Sequence, residues 1–382
     1  MSLLKGRTRK ILCGCGLAYF SIFAGACTIF KKDTAEFREK IPSAVRIKLA
    51  KFTDEIEVFS DRSIHAESAG FDRVFENRFS LKEHYKENLS SELKLQFSDE
   101  KFRFKDRTYR GSLKIVPILS GGYYAVNVLP IESYLLSVVP SEMPAGWHEE
   151  ALKTQSVAAR TYAVYQMLQN RDREFDMEAD VSSQMYLGIR QENSRTTNAV
   201  NATKNQVLIH SGKPIVAYYH SHSGGKTASA EEVWGQKLEY AVPRESEYCD
   251  LGNKMEWSLS ENWDSVSKKL GPLNLGEIRD IRKITDTPSG RADTIEVVGS
   301  NSKTEIKGQD FRRMIGFGRL KSLRFEIEKN ENGIYFKGKG FGHGVGMSQW
   351  GAHGMSLKGF DYREILSYYY TGISLARLDF QE

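Results

Sequence analysis

The sequence predicts an α+β fold: a mixed, β-rich domain around one central buried helix, preceded by an N-terminal export signal. Three observations carry this. Apolar and polar residues alternate with period two at 45–49 (VRIKL), 56–59 (IEVF), 93–97 (LKLQF) and 113–116 (LKIV), the pattern of strands that bury one face. From His148 to about Asn170 there is no glycine or proline. Val157, Thr161, Val164 and Leu168 recur there at helical spacing. Ala151, Ala158, Ala159 and Ala163 occupy the other faces, so neighbours can approach this helix on several sides. Strands and helices do not alternate regularly, which disfavours a doubly wound parallel sheet.

At the N-terminus, Lys5, Arg7, Arg9 and Lys10 precede an uncharged run over 11–30 that contains Ala24-Gly25-Ala26-Cys27. A basic start, an apolar stretch and closing small residues make an export signal, which takes no part in the fold. A cysteine directly after such residues resembles the bacterial lipobox, in which that cysteine is lipidated and becomes the new N-terminus. Ala24 stands where leucine is usual. An uncleaved signal anchor is the alternative, since about 18 apolar residues span a bilayer. Either way the body is exported and held at the membrane of the cell envelope. The chain divides into a lipoprotein-type signal (1–27), a polar tether (28–41) and one domain (42–376), with a β-rich first part over 42–128 and a second part over 129–376. With Cys13 and Cys15 in the signal and Cys27 acylated, only Cys249 remains, so no internal disulfide is available.

With 382 residues, 40% of them hydrophobic, the chain can bury a sizeable core. Its net charge of +5 is spread over 54 basic and 49 acidic residues. No basic block with interleaved aromatics marks a nucleic-acid surface. Further strands are expected at 206–209 and 215–219, joined by a turn at 211–214, and again at 294–298. Asp361 with Glu364 three residues on forms a capping-box pattern for a helix ending before Gly372.

Several widespread motifs are missing. The glycines at 338, 340, 342, 344 and 346 alternate strictly, so no offset yields G-x-G-x-x-G, and no Walker-type lysine follows. The string at 346–351 (GMSQWG) misses the nucleophile-elbow spacing by one residue. His220 and His222 could face one side of a strand, with Cys249 joining them on zinc. Without a further ligand at a known spacing, ordinary polar-face histidines are the simpler reading. No metal or cofactor is expected.

Four segments stand out together: 129–164, with its PSEMP string; 180–188 (DVSSQMYLG); 218–235 (YYHSHSGGKTASAEEVWG); and 338–355, with GFGHGVGMSQWGA. Through them the chain closely resembles the sporulation stage II protein D / LytB family of bacterial cell-wall proteins, from about Val45 to Leu375. The resemblance implies peptidoglycan as substrate. For one branch it implies a lytic transglycosylase acting on glycan strands that lack stem peptides. For the LytB branch it implies enhancement of a cell-wall amidase, and it does not choose between them.

Glu142 matches the family's catalytic glutamate in the PSEMP string. Pro144 biases Met143 away from helix, so Glu142 is expected in a loop. Val138, Val139, Met143 and Trp147 give it an apolar neighbourhood, and desolvation raises a carboxyl pKa toward that of a general acid. A helix start just downstream, or Arg160 close by, would favour the anion instead. Arg160 falls beside the apolar stripe of the central helix, and its guanidinium needs a partner. The resemblance places it in the substrate groove; an ion pair with some other carboxylate is the structural alternative.

In an extended segment, Gly340, Gly342, Gly344 and Gly346 share one bare face, opposite Phe341, His343, Val345 and Met347. That face suits a flat ligand, another strand or the central helix. Candidate sugar contacts are His343, Ser348, Gln349 and Trp350; Ser221, Ser223 and Gly224 in a second glycine-bearing turn; and Ser183 and Gln184. Most glycosidases need two carboxylates, for which Glu132 and Asp180 are second candidates. A transglycosylase needs only Glu142, because the sugar's own 6-hydroxyl replaces water and leaves a 1,6-anhydro end.

Overall fold

The computed structural model describes residues 40–381, apart from 54, 85–88 and 252–253. The export signal, Cys27 and the tether through residue 39 lie outside the described residues. Among those described, no helix is long and apolar enough to cross a membrane. The fold is mixed and β-rich.

The four period-two segments all become strands. Ala44–Phe52, Leu93–Phe97 and Ser112–Pro117 join a seven-stranded sheet, and Glu57–Phe59 enters a separate four-stranded one. In Leu93–Phe97 the three apolar side chains are buried while Lys94 and Gln96 face water, as period two requires. Tyr123–Pro130 pairs antiparallel with both Ala44–Phe52 and Ser112–Pro117. It runs straight into the helix Ile131–Glu142, so the sheet aims that helix.

The central helix is Glu149–Gln169, capped by His148 and mostly buried. Its small residues let partners come close on several faces. Ile131–Glu142, Ser194–Ala202, the strand Gln206–His210 and the helices Gln349–Leu357 and Tyr362–Tyr369 all pack against it. The last of these starts with both halves of the expected capping box, between Asp361 and Glu364.

Residues 215–219 do not form the strand their apolar run suggests. Ile215, Val216 and Ala217 are all buried, so burial does not alternate. The Tyr218 N–H donates to the Val216 carbonyl at 2.8 Å, a three-residue turn that ends the extended run. Only Lys213–Pro214 and Tyr219–His220 pair as strands. The latter lies parallel to Met347–Ser348.

The glycine segment is not a flat strand either. Gly340, Gly342, Gly344 and Gly346 have φ of +81°, +114°, +88° and +70°, a region L side chains avoid. Their bare sides are filled by protein. An added Cβ would meet the His222 carbonyl oxygen at 2.7 Å, His220 Cβ at 2.7 Å, Arg291 Nη2 at 2.3 Å and the Tyr218 carbonyl oxygen at 2.1 Å, respectively. The segment therefore packs chiefly on the 218–224 stretch, not on the central helix. Gly346→Ala is expected to destabilise the protein by at least about 2 kcal/mol, from backbone strain plus the clash with Tyr218. Denaturant titration measures it.

Between Glu256 and Lys339 the chain builds a second hydrophobic core. Trp257, Ile281, Ile295, Phe311 and Phe336 anchor it, within two three-stranded antiparallel sheets and the helices Trp263–Lys269 and Gly308–Ile315. The strand expected at 294–298 lies here, inside Ala292–Gly299. Two arginines tie this unit to the rest: Arg291 donates to the Ser223 and Lys226 carbonyls, and Arg324 to that of Gly224.

Candidate active site

Glu142 is the last residue of the helix Ile131–Glu142, not part of a loop. The helix continues through Pro140, which forgoes one backbone hydrogen bond. Met143 turns extended, with φ −135° and ψ 132°, as a following proline demands. The influence of Pro144 thus stops one residue short of Glu142. A helix C-terminus carries partial negative charge and disfavours a further anion.

One carboxylate oxygen of Glu142 accepts the Met185 N–H at 2.8 Å, and the Tyr219 side chain also hydrogen-bonds to the carboxyl. Behind Tyr219, the buried Gln184 donates to its hydroxyl at 3.0 Å and to the Ala159 carbonyl at 3.3 Å. Gln184 in turn accepts from the Tyr134 hydroxyl at 3.1 Å. A phenol has one proton to give, so Gln184 leaves that of Tyr219 for Glu142. Gln349 donates to the backbone carbonyl of Glu142 at 3.0 Å and to Gln155 at 3.3 Å, holding the helix end in place.

Burial pushes the Glu142 carboxyl above its ordinary value of 4.5, against the pull of the Met185 amide, Tyr219 and Gln349. The proton is thus held more tightly in the folded protein than in the unfolded chain. The stability this lends is present below 4.5 and is lost as pH rises through the raised folded pKa. Glu142→Gln is expected to abolish that loss, making the variant the more stable protein at about pH 8 but not at about pH 4. Urea denaturation at the two pH values checks this.

The other candidates fall into distinct groups. Trp350 is half-buried, its ring 4.6 Å from Trp147, on which His353 stacks at 4.5 Å. These rings are reached from Glu142 through Met143 and Gln349. His343 accepts from the Val345 N–H and turns its other nitrogen to the Tyr219 carbonyl at 3.0 Å. Burial pushes its pKa down to about 3, so the ring stays neutral and fixes the Tyr219 backbone. Ser348 is buried and caps the helix Gln349–Leu357, accepting from Gly351 and Ser223 N–H groups. The Ser221 carbonyl receives the Trp350 N–H, and Gly224 sits where a Cβ would meet the Lys339 backbone at 3.0 Å. Ser183 accepts from the Glu178 N–H. Gln184, Ser223 and Ser348 are buried and serve the packing, whereas Glu142, Ser183, Ser221, Gly224, His343 and Trp350 keep some accessible surface.

Arg160 is fully buried and belongs to the fold. It grips Glu132 with two bonds of 2.8 Å and also donates to the Gln206 and Val200 carbonyls at 3.2 Å. This is the ion-pair alternative, not the groove. Glu132 lies ten residues before Glu142 on the same helix, about 15 Å away by helical rise. Asp180 is exposed and bound to the Ser182 N–H and hydroxyl, which hold its carboxyl below the usual range. The three residues weighed as zinc ligands face separate partners. The Cys249 thiol sits among the Ser223, Ser246 and Ser348 hydroxyls, His220 bonds to the Val345 carbonyl, and His222 accepts from the Gly224 N–H.

Tyr219, Tyr134 and the Met185 amide were not legible as site groups. Nothing local distinguishes a tyrosine that meets a carboxyl from one that fills a core, and a backbone N–H carries no sequence mark.

The family model for stage II sporulation protein matches residues 120–210, the stretch that holds Glu142 and the central helix. A domain of unknown function matches residues 253–346, which coincides with the second core. The chain is 36% identical over 309 residues to an uncharacterized protein of Brachyspira hyodysenteriae, covering 79% of this chain and 81% of that one. It is 31% identical over 287 residues to stage II sporulation protein D of Bacillus subtilis, covering 71% and 82%. It is 30% identical over 288 residues to an amidase enhancer of the same organism, covering 63% of this chain and 40% of that one.

Proposed function

We propose, from the chain's membership of the stage II sporulation protein D family, that it is a lytic transglycosylase cutting the glycan strands of peptidoglycan. The observation that carries this is the environment of Glu142: a half-buried carboxyl of raised pKa, with Glu132 committed to Arg160. A lone acid suits a reaction that needs no activated water. Glu142 gives its proton to the glycosidic oxygen, which leaves with the electron pair of the broken C–O bond. The 6-hydroxyl of the same N-acetylmuramic acid then attacks its anomeric carbon, and the Glu142 carboxylate takes up the hydroxyl proton. The acid is regenerated and a 1,6-anhydro end results.

Glycan strands incubated with the protein are expected to yield 1,6-anhydro-N-acetylmuramic ends by mass spectrometry. Ordinary reducing ends would point to a hydrolase. The likeness to an amidase enhancer supports a second reading, in which the same site binds glycan without cutting it and stimulates an amidase. No cleavage by the wild type, with faster cleavage by an added amidase, would select that reading.

The N-terminal pattern supports export with lipidation at Cys27. The mature chain is expected to begin at an acylated Cys27 and to fractionate with membrane. N-terminal mass analysis of the wild type checks this, and release of Cys27→Ala from membrane would accompany it.

A further inference from the structure

Trp234 closes the helix Ala230–Trp234 and is 44% exposed. A single exposed tryptophan is ordinary, but this one is held rigidly and is continuous with the acid. Its ring packs on Tyr218, with centroids 4.5 Å apart, and on His343 at 5.1 Å. A full capping box from Ser229 and Glu232 and a left-handed Gly235 fix the two ends of its helix. Glu232 also accepts the Ser289 N–H at 3.1 Å, which fastens the helix to the unit with the second core. Tyr218 is fixed in turn: its carbonyl accepts the Tyr370 hydroxyl at 2.7 Å and the Met347 N–H at 3.0 Å. From Tyr218 the path runs on to Tyr162, 6.2 Å away between centroids. Tyr219, next in the chain, bonds to Glu142 itself.

We propose that Trp234, backed by Tyr218, is a stacking platform for a sugar ring of the glycan strand, away from the bond that is cut. The inference rests on the glycan reading above. A pyranose has an apolar C–H face, and a flat indole that is already immobilised covers it at small entropic cost. The Trp147–Trp350 pair supplies a second aromatic surface by a different route from Glu142, so the strand is held at two places around the acid.

The test uses the full-length protein in detergent and a peptide-free N-acetylglucosamine tetramer, with binding followed by calorimetry. Trp234→Ala is expected to weaken binding at least about tenfold, the scale of a truncated aromatic anchor, and Trp234→Phe to stay within about threefold of wild type. With glycan strands as substrate, KM should rise in Trp234→Ala while kcat is retained. Binding by Trp234→Ala equal to that of the wild type overturns the platform and leaves the glycan reading intact. No tetramer binding by the wild type overturns both.

Discussion

Glu142→Gln is expected to reduce glycan cleavage at least about a hundredfold, the usual scale for loss of a general acid. The amide keeps the size of the side chain and an oxygen for the Met185 N–H, which sits 2.8 Å from the native carboxylate. It has no proton to give the leaving oxygen and cannot take one from the attacking hydroxyl. The aromatic surfaces at Trp350 and Trp234 are untouched, so glycan binding should persist. The loss is therefore expected in kcat, with KM nearly unchanged. Mass analysis of products over time measures it. Cleavage within about tenfold of wild type would remove Glu142 from the chemistry.

Arg160→Ala should cost about 3–5 kcal/mol of folding stability, the range for breaking a buried ion pair from one side. The guanidinium is wholly enclosed and joins four separate pieces of chain: Glu132, Ser156, Val200 and Gln206. Its removal leaves the Glu132 carboxylate without its cation, with only the Asn205 N–H still donating to it, and takes one donor from each of the Gln206 and Val200 carbonyls. Denaturant unfolding of Arg160→Ala, Glu132→Ala and the double variant separates the pair from its surroundings. The double variant should lose less than the sum of the two single ones. If Arg160 instead served the groove, its removal would weaken glycan binding in the folded fraction with little change in stability.

Much of the architecture was written locally. Leu93–Phe97 is a strand because its apolar residues recur at two, and Glu149–Gln169 is a buried helix because it lacks breakers and carries small residues on several faces. The Asp361–Glu364 cap needs four residues and no tertiary contact. The PSEMP string likewise singles out Glu142, since residue identity and spacing are properties of the chain alone.

Tertiary structure decided what those residues meet. Glu132 and Arg160, 28 positions apart, became partners only when two helices packed, and that pairing takes both out of the groove. The alternating glycines read as a flat strand, yet each lies at positive φ, with other parts of the fold 2.1–2.7 Å from where a Cβ would stand, a closeness only glycine permits. Burial raises the Glu142 pKa, and the groups that oppose it, Met185, Tyr219 and Gln349, come from far along the chain. Period, caps and motifs depend on neighbours in sequence, so one chain suffices to read them. A pKa, an ion pair and an aromatic cluster depend on neighbours in space, which packing alone supplies.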